Sequence, residues 1–222
     1  MPRHRNAAIS VEEKTARDGV AMSFLPVHQR TRIHVLQAAG IFTAPAILLT
    51  QPLVMGLAHE VIEMTGIALV LACIAGRMWS SLYIGSKKNR EIVTTGPYSI
   101  TRNPLYLFST IGAVGIGLMF GSVVAAVGLG LVAYGILVTT AHREAEDLRM
   151  IFGSRYEAYR RDTPLFWPKL SLYRDSEEIA FSPKALRRTF IDSLLFLAAF
   201  PIIEGIEHLQ ADGVLPILAR IA

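Results

Sequence analysis

The chain of 222 residues holds a single cysteine, Cys73. One thiol cannot close a disulfide within the chain, so cysteine usage implies neither a covalent staple nor an oxidising compartment. Cys73 stands inside an apolar run, where a free thiol behaves as a small hydrophobe. The six histidines, at positions 4, 28, 34, 59, 142 and 208, lack the short spacings of a metal-binding motif, and no metal is expected. Charge is also scarce, 18% Asp, Glu, Lys and Arg where globular domains carry about 25%. The formal net charge of +4 is too modest for a nucleic-acid footprint. There is no internal repeat and no low-complexity tract. The first 30 residues are polar, with Arg3, Arg5, Lys14, Arg17 and Arg30, so they are not expected to act as a signal peptide. Within them residues 6–19 are expected to form a short surface helix, with Ser10 placed to cap Val11-Glu12-Glu13.

Apolar side chains take the place of charge. Hydrophobic residues make up 52% of the chain and the mean hydropathy is +0.40, which points to a polytopic membrane protein. Apolar runs cover about 33–57, 58–84, 104–120, 121–141 and 190–203, against the roughly 20 helical residues that cross a bilayer core. Pro45 and Pro52 kink or end the first run, and Gln51-Pro52 marks its outer end. Arg77 and Trp79 stand near the end of the second. They read either as interfacial anchors or, for Arg77, as a group pointing into a site. Gly121-Ser122 makes so tight a connection that the third and fourth runs should form an antiparallel hairpin. Gly112, Gly115 and Gly117 are expected to face Gly128, Gly130 and Gly135 within it, since small residues let membrane helices approach closely. The run at 190–203 is marginal for a span, and a short apolar helix is expected from Val214 to Ile221.

Lysine and arginine gather in the N-terminal arm, in the 85–102 loop (Lys87, Lys88, Arg90) and in 142–188. The 50–63 and 204–212 stretches are acidic. If all five runs span, every basic segment lies on one side, the cytoplasmic one.

The composition of a binding site appears at Gly96–Tyr106. Gly96 permits backbone angles that other residues avoid, and Pro97 fixes the next φ. Pro104 suits a first helical position, where its missing donor costs nothing. Tyr98, Arg102, Asn103 and Tyr106 are thereby held on a stiff loop at a membrane edge. Forty residues on, Leu137, Ala141, Glu144, Leu148 and Ile151 share one helical stripe, so Glu144 lies on a packed face and needs a cationic or donor partner. Arg102 and Arg143 are the structural candidates for that partner. Glu146 is about 200° further round and faces water. Gly153 is expected to break the helix, and Thr163–Pro168 to form a proline-bracketed turn.

Two blocks carry a resemblance: Gly96-Pro97-Tyr98 with Arg102-Asn103-Pro104 and Tyr106, then Glu144, Leu148, Phe152-Gly153, Tyr156, Tyr159 and Trp167-Pro168. Over roughly residues 70–170 the chain resembles the isoprenylcysteine carboxyl methyltransferases and the related phospholipid methyltransferases of membranes. The resemblance implies S-adenosylmethionine as methyl donor, with S-adenosylhomocysteine as product. It implies that Ile92, Val93, Tyr98, Asn103, Pro104, Leu105, Tyr106 and Glu144 hold the cofactor and that Arg102 and Glu144 act in catalysis. Direct methyl displacement needs alignment and exclusion of water more than acid or base groups. Three positions depart from the prenylcysteine pattern. Asn103 replaces a histidine, Ala145 stands where a second glutamate is usual, and Thr140 stands where an arginine meets the substrate carboxylate. Tyr156, Tyr159, Phe166 and Trp167 are read as a short amphipathic segment laid on the membrane over the pocket.

The expected fold is an all-α polytopic membrane protein of about five transmembrane helices with a cytoplasmic-face cofactor pocket, in a bacterial inner membrane. A polar arm (1–32) precedes a methyltransferase domain (33–170, motifs in 85–170) and a C-terminal extension (171–222) with a further apolar helix. The expected acceptor is a small or lipid-like amphiphile bearing a carboxylate, amine or thiol, with membrane lipids as surroundings and no nucleic acid as partner. The alternative is a non-catalytic membrane binding or accessory protein on the same scaffold.

Overall fold

The architecture is set by one short helix between two long ones. The computed structural model describes residues 56–85 and 91–217, and the backbone of 50–52 and 219–221. The polar arm, nearly all of the first apolar run and the basic loop tip at Lys87, Lys88 and Arg90 lie outside the described residues. Helix α1 (Leu57–Ile84) leads through an irregular segment to a four-residue turn, α2 (Pro97–Ile100), and then to α3 (Pro104–Met119). After a two-residue connection come α4 (Val123–Phe152) and α5 (Ser154–Asp162). A 3-10 turn at Leu170–Leu172 precedes the last helix, α6 (Pro183–Ala211). Helices α1, α4 and α6 are each long and apolar enough to cross a membrane, and α3 is a shorter apolar helix. The described fold is therefore helical and that of an integral membrane protein.

Helix α3 packs against α1 on one side and α4 on the other, and α6 lies against α1 and touches α3. Between membrane helices, packing rather than water exclusion must hold the elements together. Gly66 and Gly115 let α1 and α3 approach closely: a Cβ on Gly66 would meet the backbone of Met119 and Gly115 within 2.7 Å. Val70, Met119, Phe120 and Ile203 fill the space beside this contact. The hairpin of α3 and α4 forms as expected. Gly121 turns the chain at φ 69, and the Ser122 hydroxyl caps α4 by accepting from the Ala125 amide.

The glycine pairing differs from expectation. Gly112 abuts Cys73 and Phe196, and Gly115 abuts α1, so these two serve α1 and α6 rather than α4. Only Gly117, against Ala125 and Ala126, and Gly130, against Val114, work within the hairpin; Gly128 and Gly135 meet nothing within 4 Å. The reason is periodicity. Residues 112 and 115 lie one turn apart on one face of α3, and a helix packed on both sides offers that face to one neighbour only.

Arg77 is not an interfacial anchor. Its guanidinium donates to the Ser109 and Ser193 hydroxyls and lies over the Phe196 ring, 5.7 Å from its centroid, so it ties α1 to α3 and α6. Helix α6 begins well before the apolar run at 190. Pro183 occupies its first turn, and the Ser182 hydroxyl accepts from the Ala185 amide. The result is one continuous helix of 29 residues. The helix expected at 214–221 does not form. Gly213, at φ 74, ends α6, Pro216 lacks the donor a helix interior needs, and Ala219–Ile221 pairs in parallel with Thr50–Pro52 as two short strands.

Candidate functional site

The ends of four helices meet at one end of the bundle. Ser81 bonds Thr189, joining the end of α1 to the start of α6. The Tyr106 hydroxyl, in the first turn of α3, donates to Glu144 on α4 at 2.7 Å. Both basic segments within the described residues, the approach to α2 and 142–182, therefore emerge at this end.

The bend from Gly96 to Asn103 is fixed from two directions. Gly96 adopts φ 59, and an added Cβ would lie 2.3 Å from the Tyr83 ring, so only glycine fits. The strap from Pro164 to Ser176 then binds the bend along its length. The Arg102 amide donates to the Pro164 carbonyl, Lys169 to Ile100 and Gly96 to Arg174. Thr101, wholly buried, donates its hydroxyl to the Phe166 carbonyl at 2.8 Å. The Asn103 side-chain amide donates to the Leu165 carbonyl at 3.0 Å. Tyr83 and Tyr173 both donate to Asp175, which tethers the far end of the strap to α1. Those donors hold the Asp175 carboxyl below its ordinary range.

Within this frame the polar groups fall into two sets. Some are satisfied inside the protein: Asn103 by Leu165, Tyr159 by the Tyr98 carbonyl at 2.6 Å, and Glu144 by Tyr106. Others are buried with no hydrogen-bond partner, namely the Tyr98 hydroxyl and Nε of Arg102. A buried donor left unpaired costs about 1–3 kcal/mol, so each marks a spot where a ligand acceptor would be stabilised. Burial pushes the Tyr98 phenol well above its ordinary range, and Tyr159, Glu144 and Tyr106 push the same way, so it stays a neutral donor. Arg102 also donates to the Tyr156 hydroxyl at 3.1 Å, and its guanidinium stands 6.0 Å from the centroid of that ring. Pro104 is buried at the first position of α3. Leu105, Ile92 and Val93 are half-buried, the last two in the irregular segment that leads into the bend.

Two sequence expectations need correction here. Neither Arg102 nor Arg143 forms an ion pair with Glu144; its partner is the Tyr106 hydroxyl, one helix away. Tyr156 and Phe166 do not lie on the membrane. Both are buried, Phe166 against Tyr106, Leu137 and Ala141, and only Trp167 remains largely exposed. The aromatic spacing after Gly153 is that of a clasp, because the strap must turn back to reach the carbonyls and donors of the bend. Glu146 faces solvent as expected and joins Arg149, Glu157 and Arg160 in a network of exposed ion pairs. A surface hollow of about 530 Å³ beside that network is lined by Arg149, Glu157, Arg160 and Arg161, and no residue of the bend borders it. Sequence reasoning missed the strap at 164–176. Its signal was weak, a Thr-Pro and a Trp-Pro pair bracketing aromatic residues.

Residues 53–155 match the profile of the phospholipid methyltransferase family. The nickel-cobalt-cadmium resistance protein NccN of Alcaligenes xylosoxydans xylosoxydans is 35% identical over 138 residues, which cover 62% of this chain and 64% of that protein. The cobalt-zinc-cadmium resistance protein CzcN of Cupriavidus metallidurans is 33% identical over 147 residues, covering 66% of this chain and 68% of that one. A protein-S-isoprenylcysteine O-methyltransferase of Schizosaccharomyces pombe is 32% identical over 92 residues, covering 40% and 39%. No solved structure shows significant similarity to the chain.

Proposed function

The chain belongs to the phospholipid methyltransferase family, and from that premise we propose that it transfers a methyl group from S-adenosylmethionine to a lipid-like amphiphile at the membrane interface. The observation that carries this reading is the Tyr98 hydroxyl, buried and unpartnered near Tyr106, Glu144 and Tyr159. Donors without acceptors next to a carboxylate suit a ligand that presents both an anionic and a cationic or hydroxyl group, as the amino-acid and ribose parts of the methyl donor do. The residues present thus fit the cofactor. Tyr98, Arg102 and Glu144 would hold its polar parts, with Asn103, Pro104, Leu105, Tyr106, Ile92 and Val93 forming the wall. When bound, the cofactor supplies an electrophilic methyl group.

The protein's own part is alignment and drying. The buried bend keeps its donors at fixed positions through its backbone bonds to the strap. Phe166, Leu137 and Ala141 exclude water below Tyr106. Glu144 keeps a polar oxygen in place through Tyr106, and its charge favours a cationic donor. Helix α3 has 16 residues, roughly 24 Å of rise against a hydrocarbon core of about 30 Å. The bend at its start therefore sits near the edge of the hydrocarbon, within reach of a substrate that stays in the bilayer. The acceptor carries a carboxylate, amine or thiol; because Thr140 replaces the arginine of the prenylcysteine enzymes and bonds only its own helix, a prenylcysteine carboxylate is disfavoured. The positive-inside pattern supports a cytoplasmic-face site in a bacterial inner membrane. The names of the two resistance relatives suggest a setting in which membranes meet divalent metals, where such methylation would modify a membrane component.

The second reading, a binding or accessory protein without catalysis, is favoured by Ala145. It is buried where relatives carry a second glutamate, so no acid replaces it. Incubating membranes that contain the protein with methyl-labelled S-adenosylmethionine tests the proposal. Label entering an extractable amphiphile, and lost in E144Q, supports it; no incorporation with retained cofactor binding supports the second reading.

A further inference from the structure

The start of α6 carries three cations with no ion-pair partner among the described residues. Lys184, Arg187 and Arg188 are exposed and share one face at steps of three and four. None forms an ion pair with a described residue, although Asp192 follows one turn on. Cations in the first turns of a helix oppose its macrodipole, so these do not serve helix stability either. The same face continues into exposed apolar side chains, Ile191, Leu194 and Leu195. The inward face of the helix instead carries Ser193, Phe196 and Ile203 toward α1 and α3. Phe181, just before the helix, is exposed as well. Cations above an aliphatic stripe, with an aromatic ring just before them in the chain, match the order of phosphate headgroups, interface and acyl chains.

We propose that this face of α6 is a docking surface for anionic phospholipid. Lys184, Arg187 and Arg188 take headgroup phosphates, while Phe181 lies in the interface. The surface falls outside the residues matched by the family profile, so it is a property of this chain's C-terminal part. The Ser81–Thr189 bond ties the start of this face to α1.

The test uses the full chain reconstituted in vesicles, without cofactor, so that it stands apart from the methyl-transfer reading. Electron spin resonance of spin-labelled phosphatidylglycerol and phosphatidylcholine reports which lipid occupies the first shell. One basic side chain near an anionic headgroup adds roughly fivefold to local association, so a shell-averaged preference for phosphatidylglycerol of at least about twofold is expected. The preference should fall toward unity in K184Q/R187Q/R188Q, persist in K184R/R187K/R188K and shrink at high salt. Equal association of the two lipids with the wild type overturns the proposal, as does a preference unchanged in the neutral triple variant. If that variant fails to reconstitute, a wild-type preference indifferent to salt overturns it.

Discussion

Replacing Gly96 with alanine should disable the bend far more than the same change at Gly153, although both glycines have positive φ. Gly96 has φ 59 and ψ −135, and Gly153 has φ 55 and ψ −128, so a methyl group meets nearly the same backbone penalty at each, about 1–3 kcal/mol. The surroundings differ. A Cβ at Gly153 meets nothing within 4 Å, whereas at Gly96 it falls 2.3 to 2.7 Å from three atoms of the Tyr83 ring. That ring cannot swing away cheaply, because its hydroxyl is bound to Asp175 at 2.6 Å. Relieving the overlap adds about 1–3 kcal/mol of overpacking at Gly96 alone. If the bend yields locally, the binding-competent fraction drops by roughly 5- to 150-fold relative to G153A, and the apparent Kd rises by the same factor. If the whole fold carries the cost, Tm falls by about 2–4 °C per kcal/mol in a chain of this size. Thermal unfolding in detergent and titration with S-adenosylhomocysteine on G96A, G153A and G96A/Y83A separate the two contributions. The double variant should recover most of the difference. G96A indistinguishable from G153A in both Tm and affinity would refute the idea that Tyr83 sets the bend.

Tyr98→Phe removes a hydroxyl that has no partner in the protein, so Tm should hold or rise by a few degrees while S-adenosylhomocysteine binding weakens about tenfold. A fall in Tm with unchanged affinity would reverse that assignment. Glu144→Gln keeps an acceptor for Tyr106, so folding should survive while cofactor affinity drops at least about tenfold through the lost charge. The comparison is made by calorimetry beside a far-ultraviolet melt. Arg77→Lys cannot reach both Ser109 and Ser193 with one planar fork, and a Tm lower by several degrees is expected, read from the same melts. Asp175 has its carboxyl pKa lowered by the Tyr83 and Tyr173 hydroxyls. Its contribution is thus present above the ordinary aspartate range near pH 4 and disappears as pH falls through the lower folded value. The Tm of wild type and Asp175→Asn should converge in that acid window, and parallel profiles would show that the tether adds nothing.

What the sequence disclosed was governed by local rules. Gly96 at positive φ, Pro104 at the first position of α3, the Gly121-Ser122 turn and the break at Gly153 each follow from the conformational limits of one or two residues. The helices followed from apolar run length, except where a cap extended one. Ser182-Pro183 starts α6 well before its apolar part, and that signal was present but outweighed by the basic residues after it. Long-range pairing was not legible. Nothing local says that Thr101 reaches the Phe166 carbonyl across 65 positions, or that Tyr106 rather than an arginine meets Glu144. The partners of the α3 glycines were likewise decided by which neighbour took which face. The family motif pointed to the bend as a candidate site, but the strap that holds the bend had no recognisable signature.

The account rests on the end of the bundle at Tyr98, Arg102 and Glu144 being a seat for the methyl donor. Isothermal titration of detergent-solubilised wild type with S-adenosylhomocysteine tests that most directly. The account predicts saturable binding at about one ligand per chain, displaced by S-adenosylmethionine and weakened in both Y98F and E144Q. No heat with the wild type, or binding that neither substitution alters, would contradict it.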